Sequence, residues 1–195
     1  MRLLSIDFDY FVDTDDVTRY LKFPDGNDNL PQEVNDFIWD NCIRCCPEIS
    51  DIGLIKDYDY MCEFLKNHKI LSSEKVIVTD SHREIEKFFG NPDEHLNLVH
   101  IDFHHDMFVT GGNKLDCGNW LRFLMDLKPD TNVLWVRRED SDTGSFFGEF
   151  PYPNTTDITQ VQGEFDYIFL CFSSPWTPPH LYEKFKTMAS LIQTH

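Results

Sequence analysis

Five short apolar segments recur along the chain, and they limit its fold more than any other feature of the sequence. They cover residues 3–8, 75–79, 96–103, 132–136 and 165–172. Within each segment apolar side chains follow one another without the alternation that a half-exposed strand shows. Such runs are typical of strands covered on both faces, as in parallel sheets. The chain is therefore predicted to contain a mainly parallel sheet with a covering layer on each side.

Segments with helical spacing separate these strands. Apolar periodicity, prolines and capping residues predict helices over residues 32–45, 58–67, 81–89, 119–127 and 180–193. Residues 13–31 and 140–159 are predicted to be loops. Strands that alternate with helices indicate an α/β fold, here three layers in the order α/β/α. A length of 195 residues suits a single compact domain over residues 1–195.

The chain is strongly acidic, with 17 Lys and Arg against 34 Asp and Glu and a net charge of −17. This charge disfavours binding to nucleic acids and anionic membranes. It favours a cationic substrate or peptide, and solubility together with a carboxylate-rich metal site is an equal alternative explanation. No apolar run reaches the roughly 20 residues of a membrane span. Asp7 interrupts the first apolar run, which is therefore too short for the h-region of a signal peptide. A cytoplasmic location is expected.

Three cysteines cluster as C-x-x-C-C at Cys42, Cys45 and Cys46. A structural zinc site needs about four ligands, and no second ligand pair stands at a suitable spacing. On a predicted helix these cysteines are expected to be reduced thiols or small buried side chains.

The pattern D-x-H-x-D directly follows the third apolar segment, at Asp102, His104 and Asp106. In open parallel sheets, ligands bind beyond the carboxyl ends of the strands. Carboxylates and imidazole in this mixture suit Mn²⁺, Fe²⁺ or Zn²⁺. A solvated acidic loop is the alternative, but the apolar strand fixes the position of the motif. His105, between two of these residues, is expected to face away.

Asp7 and Asp9 end the first apolar segment and lie on one side of the strand if it continues. Two neighbouring carboxylates repel each other unless a cation or a proton separates them. Helix caps or loop acids are the simpler interpretation. The pattern D-x-D also occurs in haloacid-dehalogenase phosphatases, in which a small hydroxyl residue follows two positions later. Phe11 stands at that position, which weakens the phosphatase assignment.

His82 follows the second apolar segment and is a weak signal alone. Beside two acid-rich strand ends it becomes a sixth candidate ligand. Two divalent cations would neutralise the four carboxylates of the set. Two metals about 3.5–4 Å apart can share a bridging hydroxide, which is a nucleophile near neutral pH.

These motifs resemble the metal motifs of arginases and related ureohydrolases. The segments VTDSHREI, LVHIDFHHDM, CGNWL and NVLWVRRE are similar to successive blocks of an arginase-like family. That family includes the peptide arginases, which convert arginine to ornithine in ribosomally synthesised peptides. The resemblance covers residues 75–140 and the first 12 residues. It implies an arginase/deacetylase-like fold that binds two Mn²⁺ ions.

The resemblance also implies a role for each candidate ligand. His82 would bind one ion and His104 the other, and Asp102 and Asp7 would bridge the two. Asp106 would complete the first site, and Asp9 would complete the second.

Two features depart from the ureohydrolase pattern. S-x-D-x-D normally follows D-x-H-x-D, but here it comes first, at residues 5–9. A permuted order of strands would reconcile this, provided that the first strand lies beside the D-x-H-x-D strand. Arginases also place a proton-shuttle histidine after D-x-H-x-D, where this chain has Asn119. Asn119 could orient substrate or water but cannot shuttle a proton, and packing at the start of a helix is an equal alternative.

Recognition of a guanidinium group needs carboxylates or carbonyls and an aromatic wall. Tyr10 and Trp120 are candidate walls. The candidate acids are Asp13, Asp15, Asp16, Glu139 and Asp140.

The leading hypothesis from the sequence is a binuclear manganese hydrolase. It would convert arginine side chains of a precursor peptide to ornithine and release urea. A two-metal phosphoesterase, an amide hydrolase and a non-catalytic metal-stabilised module that binds basic peptides are the alternatives. Association into a homo-oligomer is left open.

Overall fold

A parallel β-sheet forms the centre of the protein. The computed structural model describes residues 1–24, 30–70, 75–90, 94–109, 114–145 and 148–194. Within these residues the strands are β1 (Arg2–Asp7), β2 (Lys69–Ile70), β3 (Val76–Thr79), β4 (Asn97–Ile101), β5 (Asn132–Val136), β6 (Gly144–Ser145), β7 (Gly148–Glu149), β8 (Asn154–Thr155), β9 (Tyr167–Cys171) and β10 (Gln193–Thr194).

The main sheet of the described chain has the strand order β3-β9-β1-β4-β5-β8, and every adjacent pair is parallel. Two short pairs, β2 with β10 and β6 with β7, lie outside it. β1 is central, between β9 and β4. Ile6 of β1 is in register with Ile101 of β4, and Asp7 with Cys171 of β9. The three strands therefore end together at one edge of the sheet.

Helices cover both faces of the sheet. The α-helices of the described residues are α1 (Asp16–Lys22), α2 (Gln32–Cys45), α3 (Asp57–Asn67), α4 (Trp120–Leu127) and α5 (Tyr182–Ser190). Short 3-10 helices lie at Phe8–Phe11, Pro47–Asp51, His82–Phe88, Ile158–Gln160 and Pro179–Leu181. Among the helices that the structure describes, none has the length and apolar character needed to cross a lipid bilayer.

Alternate residues of β1 enter two different cores. Leu4 and Ile6 pack on the face covered by α2, α3 and α5. Leu3 packs on the opposite face, which α4 and the 3-10 helix His82–Phe88 cover. The strands are thus buried on both sides, which is why their sequences show runs of apolar residues. The predicted three-layer α/β/α arrangement with a parallel sheet is confirmed.

Several predicted element boundaries were wrong. The predicted loop over residues 13–31 contains α1, which begins because the Asp15 side chain accepts a hydrogen bond from the Thr18 amide at 2.6 Å. The predicted loop over residues 140–159 contains β6, β7 and β8. The predicted helix over residues 180–193 ends at Ser190. Residues 25–29 and 146–147 of the two predicted loops lie outside the described residues.

The cysteine cluster lies at the end of α2, as its sequence predicted. Cys42 and Cys45 belong to the helix and Cys46 directly follows it. All of the chain's cysteines fall within the described residues, and all are free thiols.

Candidate metal centre

The carboxyl edge of the sheet carries a buried cluster of carboxylates and imidazoles. β1 and the 3-10 helix that follows it supply two of the side chains, and the segment after β4 supplies three. The 3-10 helix that follows β3 supplies a histidine. The structure thus brings together the six ligands predicted from the sequence, Asp7, Asp9, His82, Asp102, His104 and Asp106.

Three of the carboxylates converge on the His82 ring. Its Nδ1 atom lies 2.9 Å from Asp7 Oδ2, 3.3 Å from Asp102 Oδ2 and 3.3 Å from Asp106 Oδ2. All four residues are buried. This convergence depends on the parallel pairing of β1 with β4, which places Asp7 next to Asp102.

The His82 ring is held by two aromatic side chains and by a contact at its other nitrogen. Phe169 stacks on it with ring centres 5.2 Å apart and an interplanar angle of 14°, and Trp120 lies 5.0 Å away at 34°. The Ser5 hydroxyl lies 3.0 Å from Nε2. Such contacts fix the orientation of an imidazole before any ligand binds. They direct Nδ1 towards the carboxylates.

His100 joins this group from within β4. Its Nε2 lies 3.4 Å from Asp102 Oδ2 and 3.8 Å from Asp106 Oδ2. His82, His100 and Asp102 form a buried group that could hold a metal ion. Sequence reasoning missed His100 as a ligand. The available signal was a histidine inside an otherwise apolar strand, at the position in register with Ser5.

A second group lies beside the first. His104 Nδ1 is 3.1 Å from Asp9 Oδ2 and 3.8 Å from Asp102 Oδ1. Asp9, Asp102 and His104 satisfy the same geometric condition for holding a metal ion. Arg19 also approaches Asp9, with its Nη1 atom 3.7 Å from Oδ2.

Asp102 belongs to both groups through different oxygens. Its Oδ2 faces His82 and His100, while its Oδ1 faces His104. Oδ1 also accepts a hydrogen bond from the His104 backbone amide at 2.7 Å, which fixes the carboxylate plane. A carboxylate held in this way can serve two cations at once.

Electrostatics within the metal-free cluster is unfavourable. Burial, and then the charge of Asp7, raises the pKa of Asp102 well above its ordinary value. Burial and the neighbouring Asp102 have the same effect on the pKa of Asp106. Burial lowers the pKa of His100 well below its ordinary value, and the charge of His82 adds to the effect. A divalent cation among these groups would stabilise the ionised carboxylates and the neutral imidazoles.

Several buried atoms of the cluster lack a hydrogen-bond partner of acceptable geometry in the part of the chain that the structure describes. They include both carboxylate oxygens of Asp9, Oδ2 of Asp102, both ring nitrogens of His100 and Nε2 of His104. A buried polar atom without a partner costs about 1–3 kcal/mol. Oxygen and imidazole donors of this kind suit Mn²⁺, Fe²⁺ or Zn²⁺. The unsatisfied atoms and the donor set therefore fit a divalent cation.

Two non-glycine residues at this edge have left-handed backbone conformations. Asp106 and Ser173 both have φ of 51°, which is uncommon for residues with a Cβ atom. The Trp120 indole donates a hydrogen bond to Asp106 Oδ2, and the Ser173 hydroxyl donates one to Asp7 Oδ2. Backbone strain of this kind is found where surrounding contacts hold functional side chains in place.

The predicted aromatic walls do not face solvent. Tyr10 is 1% exposed, and its hydroxyl donates a hydrogen bond to Asp57 Oδ2 at 2.9 Å. Trp120 is fully buried, with its ring centre 5.0 Å from those of both His82 and His100. Trp120 therefore supports the cluster from inside, and Tyr10 belongs to the apolar core. Neither forms an open wall in this structure.

The remaining predicted site residues lie in loops. Glu139 and Asp140 are exposed after β5, and Asp140 accepts a hydrogen bond from Arg138 Nε at 3.0 Å. Asn119 is buried directly before α4. Its Oδ1 accepts from the Asp116 amide at 2.8 Å and its Nδ2 donates to a backbone carbonyl of the same loop at 2.9 Å. These bonds indicate a structural role, and a catalytic role for Asn119 stays a prediction.

His105 faces away from the cluster, as expected. Its ring centre lies 4.2 Å from that of Phe108 and 6.0 Å from that of Phe150. Its Nε2 lies 3.3 Å from the Gly144 carbonyl oxygen.

Comparisons of the chain with protein-family models, with curated proteins and with solved structures give no match.

Proposed function

We propose that the protein is a hydrolase with two Mn²⁺ ions that converts arginine side chains of a peptide to ornithine and urea. The observation that carries the proposal is the position of Asp102, whose two oxygens belong to two adjacent ligand groups. The resemblance of the sequence motifs to those of arginases supports the same choice of metal and reaction.

The chain supplies unequal ligands to the two proposed cation positions. His82, His100, Asp7 and Asp106 would hold one ion, and Asp9 and His104 would hold the other, with Asp102 contributing to both. When bound, divalent cations supply Lewis acidity and a hydroxide nucleophile near neutral pH. Burial of the ligands excludes bulk water, which strengthens every charge interaction at the site.

The proposed reaction adds one water to the guanidino carbon of arginine. The bond from that carbon to the side-chain nitrogen breaks, and the nitrogen receives a proton to become the ornithine amine. The carbon leaves as urea with the two terminal nitrogens. The net charge of −17 favours a cationic substrate of this kind.

A phosphoesterase is less well supported by the charges around the cluster. Arg19, the guanidinium next to Asp9, is 1% exposed and its charge lies over the Phe103 ring at 4.0 Å. On the side of the partly exposed His104, the charge of Asp16 interacts with the imidazole. A phosphate group that approached there would meet a carboxylate.

The test is an assay of the Mn²⁺-supplemented protein on an arginine-containing peptide, read by mass spectrometry and urea determination. The expected result is a loss of about 42 Da per arginine converted, together with one urea per conversion, as metal-assisted hydrolysis of a guanidino group requires. The same peptide with citrulline in place of arginine is the substrate control.

Matched variants connect the result to the cluster. Asp102→Asn is expected to abolish conversion, whereas Asp126→Asn on the exposed side of α4 makes the same chemical change and should keep it. Metal binding without any conversion of arginine peptides would overturn the hydrolase proposal and favour a module that binds basic peptides. Conversion that persists in Asp102→Asn would place the reaction elsewhere.

A further inference from the structure

The metal-ligand cluster is buried except on one side. The side chains of Asp9, His82, His100 and Asp102 are at most 1% exposed, and those of Asp7 and Asp106 are at most 6% exposed. The His104 side chain is 12% exposed. Solvent therefore reaches the described cluster most readily beside His104, and any substrate must approach it from that side.

Two aromatic side chains line this approach. The Trp176 ring lies 4.9 Å from the His104 ring, and the Tyr20 ring lies 6.1 Å from Trp176 at an angle of 77°. Tyr20 is 51% exposed and Trp176 is half-buried. These rings differ from those of Tyr10 and Trp120, which are internal.

The loop that carries Trp176 is anchored to the cluster. The Trp176 amide donates a hydrogen bond to the Ser173 carbonyl at 2.8 Å, and Thr177 Oγ1 donates one to the Phe172 carbonyl at 2.7 Å. Ser173 also donates its hydroxyl proton to Asp7. The indole is thus held at a fixed place relative to the cluster, which reduces the entropy cost of using it to bind a ligand.

A carboxylate lies on the same side. Asp16 and Tyr20 are four residues apart on α1, so their side chains share one face of that helix. The Asp16 charge interacts with His104 and with two further carboxylates, Asp140 and Asp142. Its Oδ1 is buried and has no hydrogen-bond partner among the described residues. The approach to His104 therefore combines π faces with an acceptor for a cationic donor.

We propose that Trp176, Tyr20 and Asp16 form a recognition site for a guanidinium group beside His104. A planar guanidinium stacks on aromatic faces and donates hydrogen bonds to a carboxylate in the same plane, which a compact ammonium does less well. That this cation is the substrate rests on the proposed function. That a guanidinium binds at this place is independent of the proposed function.

The tryptophan distribution permits a local measurement. The chain has four tryptophans, all among the described residues, and Trp39, Trp120 and Trp135 are at most 1% exposed. Quenching of fluorescence by neutral acrylamide therefore reports mainly on Trp176. The Mn²⁺-loaded protein is titrated with N-acetyl-arginine amide and, separately, with N-acetyl-citrulline amide, and urea is measured in the same samples.

The arginine probe is expected to protect Trp176 from acrylamide until the protection reaches a plateau, and the citrulline probe is expected to have no effect. By calorimetry, Trp176→Ala and Asp16→Asn should each weaken binding of the arginine probe about 5-fold or more. Asp126→Asn, which has the same net charge as Asp16→Asn, should bind it normally. The Asp16 variant keeps the test valid if Trp176→Ala does not fold.

Absence of protection, or equal protection by citrulline, would overturn the recognition site. Wild-type affinity in Asp16→Asn would also overturn it. The urea measurement decides separately about the proposed function, because protection without urea supports the recognition site and contradicts only the hydrolase. Urea release without protection supports the hydrolase and contradicts only the recognition site.

Discussion

The guanidinium of Arg19 is buried against Asp9, ten residues away and across the turn between the first strand and the first helix. Its Nη1 lies 3.7 Å from Asp9 Oδ2, and its Nη2 donates hydrogen bonds to the backbone carbonyls of Asp9 at 2.8 Å and Val12 at 3.1 Å. Burial works to raise the pKa of Asp9, but the charges of His104 and Arg19 outweigh it and hold that pKa below its ordinary value. The chain thus supplies one permanent cation to its own carboxylate cluster.

Replacing Arg19 by methionine should destabilise the metal-free protein strongly. The change removes the guanidinium next to the buried Asp9 carboxylate, which costs on the order of 3–5 kcal/mol. The backbone carbonyls of Asp9 and Val12 each lose one donor but keep their bonds from the Val12 and Thr14 amides. Added Mn²⁺ should restore part of this loss, because it again places positive charge next to Asp9. Urea unfolding of the chelated and the Mn²⁺-loaded protein measures both effects.

The matched control for this prediction is Arg44→Met on the exposed side of α2, which should change the free energy of unfolding by less than about 0.5 kcal/mol. An Arg19→Met protein as stable as the wild type would show that the buried pair contributes nothing.

Replacing Asp102 by asparagine should remove both of the proposed cations. Asn offers one neutral carbonyl oxygen where Asp102 presents an anionic oxygen to each ligand group. The metal content after dialysis, measured by elemental analysis, should fall from about two ions per chain to near zero. The control variant Asp126→Asn should keep the wild-type metal content. A wild-type metal content in Asp102→Asn would contradict a role for Asp102 in both ligand groups.

His100, which is fully buried in β4, should matter for metal binding although it looks like a core residue in the sequence. His100→Gln keeps polarity and size but moves the donor away from Asp102 and Asp106. Metal affinity, measured by competition with a fluorescent chelator, should fall about 10–100-fold. A loss of this size is typical when a residue that orients a metal ligand is replaced. The exposed His95 gives the control, since His95→Gln should bind metal normally. Equal affinity in both variants would remove His100 from the site.

The sequence was sufficient for five of the six strands of the main sheet in the described chain, and for most of the cluster. Residues 132–136 are a strand with the predicted bounds, because burial on both faces imposes an apolar run that is visible locally. D-x-H-x-D was identified for a similar reason, since it follows such a run directly. Sheet order is not local information. That β1 lies beside β4, and so brings Asp7 to Asp102, depends on how the connecting helices pack.

The roles of three residues near the cluster could not be predicted from the sequence, because they depend on tertiary contacts and follow no ligand motif. His100 occupies an interior position of a strand, where a histidine is usually only a satisfied core residue. Arg19 lies in a segment that was predicted to be a loop, and its partner Asp9 becomes a neighbour only after α1 forms. Trp176 follows a strand end without acids, so no ligand motif drew attention to it.

Metal binding should strengthen as pH rises. In the metal-free fold, Asp102 and Asp106 have pKa values well above 3.8, because both are buried next to other carboxylates. An acid whose pKa is raised by folding contributes its full stability below the unfolded pKa and loses it as pH rises through the folded pKa. Above about pH 4 these two groups therefore favour the metal-free fold less and less. Mn²⁺ must displace their protons, so its affinity increases over the same range.

The measurement is the melting temperature of the Mn²⁺-loaded protein minus that of the chelated protein, at several pH values between about 5 and 8, the range in which most proteins stay folded. The difference should widen as pH rises, and calorimetry in buffers of different ionisation enthalpy should show protons released on metal binding. Asp106→Asn should release fewer protons than the wild type, because one of the proton-binding carboxyls is gone. The lowered pKa of His100 keeps that ring neutral without metal, so it adds little to the released protons. A difference in melting temperature that stays constant or narrows with pH would mean that the cation does not bind among these buried carboxyls.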